Sequence, residues 1–86
     1  MNIDELILNV KKKISGNLIV EKILVFDETK KHQNHKSHTR GKFHLSIEII
    51  SSELNKMSKI KSSKLIYKTL DYEMKTYIHS IKLKIN

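Results

Sequence analysis

The chain contains no cysteine, which excludes a disulfide framework, a thiolate zinc site and a self-contained Cys-ligated iron–sulfur cluster. Any metal must therefore be held by His, Asp or Glu, or shared with a partner. The N-terminus lacks the apolar run of a signal peptide, and no apolar stretch approaches the ~20 residues needed to span a bilayer. The sequence reads as soluble, intracellular and cytoplasmic, with no membrane contact. Arginine is nearly missing too: of the 17 basic residues only Arg40 is not Lys. A net charge of +8 invites a nucleic-acid partner. Sites that read bases or clamp phosphates usually recruit Arg for its planar, bidentate fork, however. The abundance of Lys, Ile and Asn is also what AT-rich codon usage produces, so charge alone does not decide.

With 86 residues, the chain is expected to form one domain, residues 1–86, burying roughly 60% of its unfolded surface around one two-layered core. Ile3, Leu6, Ile7, Val10 and Ile14 recur at helical spacing, with Asn2 as N-cap, Asp4 and Glu5 in the first turn, Lys11 to Lys13 in the last, and Gly16 at the C-terminal αL position. Residues 18–28, "LIVEKILVFDE", are β-branched and apolar on both faces and predict a strand. Residues 43–50, "FHLSIEII", alternate, with Phe43, Leu45, Ile47 and Ile49 on one face and His44, Ser46 and Glu48 on the other. "SSELNK" has the makings of one short turn. Residues 59–75 return to helical period through Ile60, Tyr67, Leu70 and Met74, with Ser58 or Ser62 as N-cap. Residues 77–85 alternate again, and strict alternation puts Tyr77, His79, Ile81, Leu83 and Ile85 on one face.

The order helix, strand, strand, helix, strand predicts an α+β sandwich: a hairpin followed by a right-handed strand–helix–strand crossover. The result is a three-stranded mixed sheet with helices on one face. The loop at 29–42 is longer than a usual hairpin connection, and it carries His32, His35 and His38, with His44 just beyond it. Imidazoles at i, i+3 and i+6 would suffice for a zinc ion, and the alternative is a solvated basic loop. His38 and His44 read as solvated positions. Asp27 and Glu28 are acidic but have no nucleophile or acid–base partner pattern beside them, so they read as strand-end structure and the chain as no enzyme.

Four pieces in order resemble the BolA-like family over about residues 5–84: "VFDETKKH" (25–32), "HLSIEIIS" (44–51), "LIYKTL" (65–70) and "IHSIKL" (78–83). The resemblance implies an αββαβ fold related to class II KH domains. It also implies a partner, a monothiol glutaredoxin with a Cys-Gly-Phe-Ser active site. Together the pair would bridge a [2Fe-2S] cluster with glutathione from the glutaredoxin side. This chain would supply the C-terminal histidine, His79, and a loop histidine, with His35 the first choice and His32 the second. Alone it would carry no cofactor and exist as a monomer or weak homodimer.

Departures from the family pattern fall at the main helix. Where the family usually opens with "R-H-R" this chain has Ser62, Ser63 and Lys64, and "F-x-G" is replaced by Leu54, Asn55 and Lys56. The only glycines are Gly16 and Gly41, so the Gly-x-x-Gly loop with which KH modules clamp nucleic acid is missing. The second expectation, a DNA-binding transcriptional regulator, would therefore rely on the basic surface of Lys59, Lys61, Lys64 and Lys68.

Overall fold

The computed structural model describes residues 1–32 and 42–86, with the backbone alone for Lys31 and His32; His35 and His38 lie outside the described residues. Along the chain the elements are α1 (Ile3–Asn17), β1 (Lys22–Asp27), α2 (Thr29–His32), β2 (Phe43–Ile50), α3 (Ser52–Asn55), α4 (Lys59–Thr69), α5 (Asp71–Thr76) and β3 (Ile78–Ile85). Helices α2 and α3 are single turns, and α4 with α5 is one broken helix. The order is the αββαβ succession the sequence predicts.

Helix α1 starts at Asn2, whose side-chain oxygen accepts from Glu5 N at 2.8 Å, while its amide nitrogen donates to the Glu5 carboxylate at 3.0 Å. This satisfies a backbone donor that the first turn leaves without an intrahelical acceptor. Leu6, Val10 and Ile14 form one buried stripe at i, i+4, i+8. The helix outruns its expected end. Gly16 lies inside it, and the terminus closes through Leu18 N donating to Ile14 O (2.9 Å) and Asn17 Nδ2 to Lys13 O (2.7 Å). Lys11 to Lys13 are thus a turn short of the end, and they do not cap the helix dipole.

Ser51 joins three segments: its backbone N donates to Asn86 O, its hydroxyl donates to Ile19 O at 2.6 Å, and the same oxygen accepts from Leu54 N to cap α3. Of the two serines expected to cap α4, Ser58 does so, accepting from Lys61 N at 3.1 Å. Ser62 is buried in the first turn, and its hydroxyl donates to Ser58 O and Lys59 O. The helix breaks at Leu70, where φ −100° and ψ 19° leave the helical region. The i→i−4 hydrogen bonds still run across the break, from Leu70 N to Ile66 O and from Met74 N to Leu70 O. Tyr67, at core spacing, is instead 39% exposed.

The sheet order is β1-β2-β3, with β1 antiparallel and β3 parallel to the central β2. Ile23 and Val25, then Leu45, Ile47 and Ile49, then Ile81, Leu83 and Ile85 form the rows that meet Leu6, Val10, Ile14, Leu54, Ile66 and Leu70 from the helices. Each fully buried aliphatic side chain contributes about 1.5–3 kcal/mol of transfer free energy. The other face carries Leu24 and Phe26, Ser46 and Glu48, and Lys82 and Lys84. β1 is shorter than expected, since residues 18–21 precede it. Among the described residues no helix is long and apolar enough to cross a membrane.

Candidate functional site

The end of β1 and the beginnings of β2 and β3 lie together at one end of the sheet. This follows from topology, because β1 runs against β2 and β3 runs with it. Asp27 ends β1 and turns the chain: its carboxylate accepts from Thr29 N at 3.0 Å and from the Thr29 hydroxyl. An aspartate bonded to backbone two residues on is a turn former, so Asp27 shapes the strand end as its sequence context suggests. The chain is then tied to β2 twice. Glu28 N donates to His44 O at 2.8 Å, and His44 N donates to Thr29 Oγ1 at 3.2 Å. The segment that follows β1 is therefore anchored at its start beside His44.

On the other side of His44 the ladder with β3 slips. Phe43 is registered with Ile78, but the next residue, His44, is registered with Ser80. His79 is the extra residue of a β-bulge. A bulge inserts one residue, bends the strand and re-aims a side chain. Ile78 is buried, His79 and Ser80 are exposed, and Ile81 returns to the core side. Strict alternation would have placed His79 with Ile81 and Leu83. The bulge shifts the phase of the strand and moves the imidazole to the outside.

His44 departs from expectation in the opposite direction. It is only 5% exposed, where a solvated strand position was predicted. Its Nδ1 shares a 2.7 Å hydrogen bond with Ser80 Oγ, and its ring lies against that of His79, with centroids 4.9 Å apart and planes tilted by 59°. The sequence contained one signal for this, the fit of His44 to the second-strand motif.

The other candidates are only partly brought together. The backbone of His32 closes the single turn α2 that Thr29 opens, so it lies about 5 Å along the helix axis from the residue bonded to His44. His35 is outside the described residues. Among those described, no group of three or more His, Asp or Glu could hold a metal ion. On α4, Lys59, Lys61, Lys64 and Lys68 are all exposed. At 3.6 residues per turn Lys61, Lys64 and Lys68 fall within about 60° of one another, while Lys59 lies about half a turn away. Lys59 instead lines a groove of about 230 Å³ with Ser63, Leu83, Lys84 and Asn86.

Sequence reasoning missed Glu73. This carboxylate is 1% exposed on α5 and accepts from Asn9 Nδ2 at 2.6 Å and from Lys13 Nζ at 2.9 Å, both on α1. Lys13, placed by the sequence in the last turn of α1, is the half-buried partner of this buried carboxylate.

The αββαβ order around a three-stranded mixed sheet defines a class of small α+β domains. The sequence pattern of the BolA-like protein family matches residues 14–86, and the chain belongs to that family. Its fold is similar to the BolA domain of SufE1 from Arabidopsis thaliana, with a TM-score of 0.76 and 24% identity over 92% of this chain and 87% of that one. It is also similar to BolA1 from Arabidopsis thaliana (TM-score 0.74, 19% identity, 91% and 86% covered). BolA1 from Mus musculus gives 0.71 and 18%, covering 90% of this chain and 60% of that one. No curated protein sequence matches the chain.

Proposed function

We propose that this protein is a non-enzymatic adaptor in iron–sulfur cluster assembly or iron signalling that works in the cytoplasm with a monothiol glutaredoxin. It would supply His79 and one loop imidazole, His35 or His32, to a [2Fe-2S] cluster whose remaining ligands are the partner's cysteine and glutathione. The observation that carries this reading is the β-bulge, which takes His79 out of the core face and leaves it exposed beside His44. Glu28 and Thr29, which open the segment carrying the other histidines, are hydrogen-bonded to His44.

The donor chemistry fits. A two-iron cluster accepts imidazole in place of thiolate, which raises its potential and makes the ligand protonatable near neutral pH. A donor on a strand end, exposed and backed by a hydrogen-bonded ring, can be approached by a second protein. A histidine inside the core could not be.

Anaerobic reconstitution tests the reading. The chain is mixed with a monothiol glutaredoxin, iron, sulfide and glutathione, and visible circular dichroism is followed for wild type, His79→Ala, His35→Ala and His32→Ala. A spectrum distinct from that of the glutaredoxin alone, lost or altered in His79→Ala, is the expected result. An unchanged glutaredoxin spectrum with the wild-type chain overturns it.

A second reading, nucleic-acid binding, is favoured by one observation, the stripe of Lys61, Lys64 and Lys68 on one exposed face of α4. A fall in affinity with rising salt, in proportion to the phosphates neutralised, is its signature.

A further inference from the structure

Buried side chains on the helix-free face of a sheet call for explanation, and His44 is one. By its place in β2 it belongs with Ser46 and Glu48 on that face, yet it is almost fully buried. It also stands at a junction. Its backbone is bonded on both sides to the start of the histidine segment, through Glu28 and Thr29. Its ring nitrogen is bonded to Ser80, the residue after the bulged His79, and its ring lies 4.9 Å from the His79 ring.

We propose that His44 is a positioning residue for His79. Three features carry this. The ring of His44 has little freedom, because burial and the Ser80 hydrogen bond at 2.7 Å hold it. That bond also ties β2 to the strand immediately after the bulge, so it fixes the extra residue's place in the ladder. The held ring then serves as a wall against which the His79 ring packs at a 59° tilt. An exposed imidazole on a surface strand samples several rotamers; one resting on a fixed ring samples fewer. A donor already near its bound orientation loses less freedom on binding, and groups that orient a ligand commonly change metal affinity 10–100-fold when removed. His44 would thus act through His79, without itself being a donor to the metal.

The proposal deepens the cluster-sharing reading, and its test has one arm that does not depend on that reading. In the protein alone, three-bond couplings at His79 and its ring proton shifts report the rotamers of that side chain. Wild type is expected to show one dominant rotamer. His44→Ala and Ser80→Ala should show averaged couplings, and Ser80→Thr, which retains the hydroxyl, should restore the wild-type values. Ser80→Ala removes only the pin, so it decides the matter if His44→Ala fails to fold. Wild-type couplings in Ser80→Ala, or averaged couplings already in wild type, overturn the proposal.

In the second arm the chain is titrated into the reconstituted glutaredoxin mixture. Ser80→Ala and His44→Ala are expected to reach the wild-type circular dichroism spectrum at about tenfold higher concentration or more, whereas His79→Ala does not reach it. If His44→Ala never reaches the wild-type spectrum while remaining folded, His44 is itself a ligand and the positioning role is overturned. If wild type forms no shared cluster, the cluster reading fails, and the coupling measurement still judges whether His44 orients His79.

Discussion

Lys13 on α1 closes on Glu73 on α5 at 2.8 Å, and the carboxylate it meets is sealed from solvent. Asn9 donates to the same carboxylate at 2.6 Å, so two side chains from one helix hold one charge on another. Removing Lys13 leaves a buried carboxylate with its amide partner alone. Lys13→Met is expected to destabilise the fold by about 1.5–3 kcal/mol, the range for a hydrogen bond to a charged group. Urea denaturation measures it. Lys13→Met combined with Glu73→Met should cost less than the sum of the two single changes, because the second removes the charge the first left stranded.

The cap of α4 offers a smaller, cleaner number. Ser58 accepts from Lys61 N and lies on the surface, so Ser58→Ala changes little besides that hydrogen bond. The expected loss is about 1 kcal/mol, seen as a fall in Tm of about 4–8 °C for a domain of this size. Ser62→Ala, at the alternative cap, should leave the N-terminal hydrogen bond of the helix in place.

Stability should depend on pH through Glu21. Its carboxylate accepts from the Ser52 hydroxyl and from Ser52 N, and the hydroxyl bond, then the backbone bond, hold its pKa below the ordinary 4.5. A carboxylate whose pKa is lower in the folded state adds stability above its unfolded value, and that stability disappears as pH falls through the folded value. Glu21→Gln should therefore have a lower urea midpoint than wild type at pH 7. The two midpoints should converge as pH falls below 4.5 and through the lower folded value, where both side chains become neutral.

The lysine stripe carries its own expectation. If nucleic acid is bound there, replacing Lys61, Lys64 and Lys68 with Gln should weaken binding and reduce the slope of log affinity against log salt by about 2–3, near one unit for each phosphate that is no longer neutralised. Lys59→Gln, about half a turn away on α4, should change the slope by less. Fluorescence anisotropy across a salt series reads both, and a slope unchanged in the triple variant removes this surface from consideration.

Much of the fold was legible because its hydrophobic periods are local. Leu6, Val10 and Ile14, or Leu45, Ile47 and Ile49, face the core by spacing alone, and the strand order follows from connection rules. What escaped depends on tertiary packing. Nothing near Glu73 in sequence indicates that Asn9 and Lys13, more than 50 residues earlier, complete it. The break at Leu70 is invisible in a continuous helical period. Family resemblance singles out His79 but not its face, because alternation assumes an unbroken ladder and the slip lies in the pairing with β2. His44 escapes for the same reason: its burial is decided by the strands and turn around it.

Without position 79, the last strand would read Ile78, Ser80, Ile81, Lys82, Leu83, Lys84, Ile85, an uninterrupted alternation of core and surface residues. The histidine is thus supernumerary to the architecture. The remaining strand already satisfies the core, so the imidazole can be gained or lost by a change of one residue in chain length. In this molecule the residues that build the core and the extra histidine are written in the same strand yet are separable by a single codon.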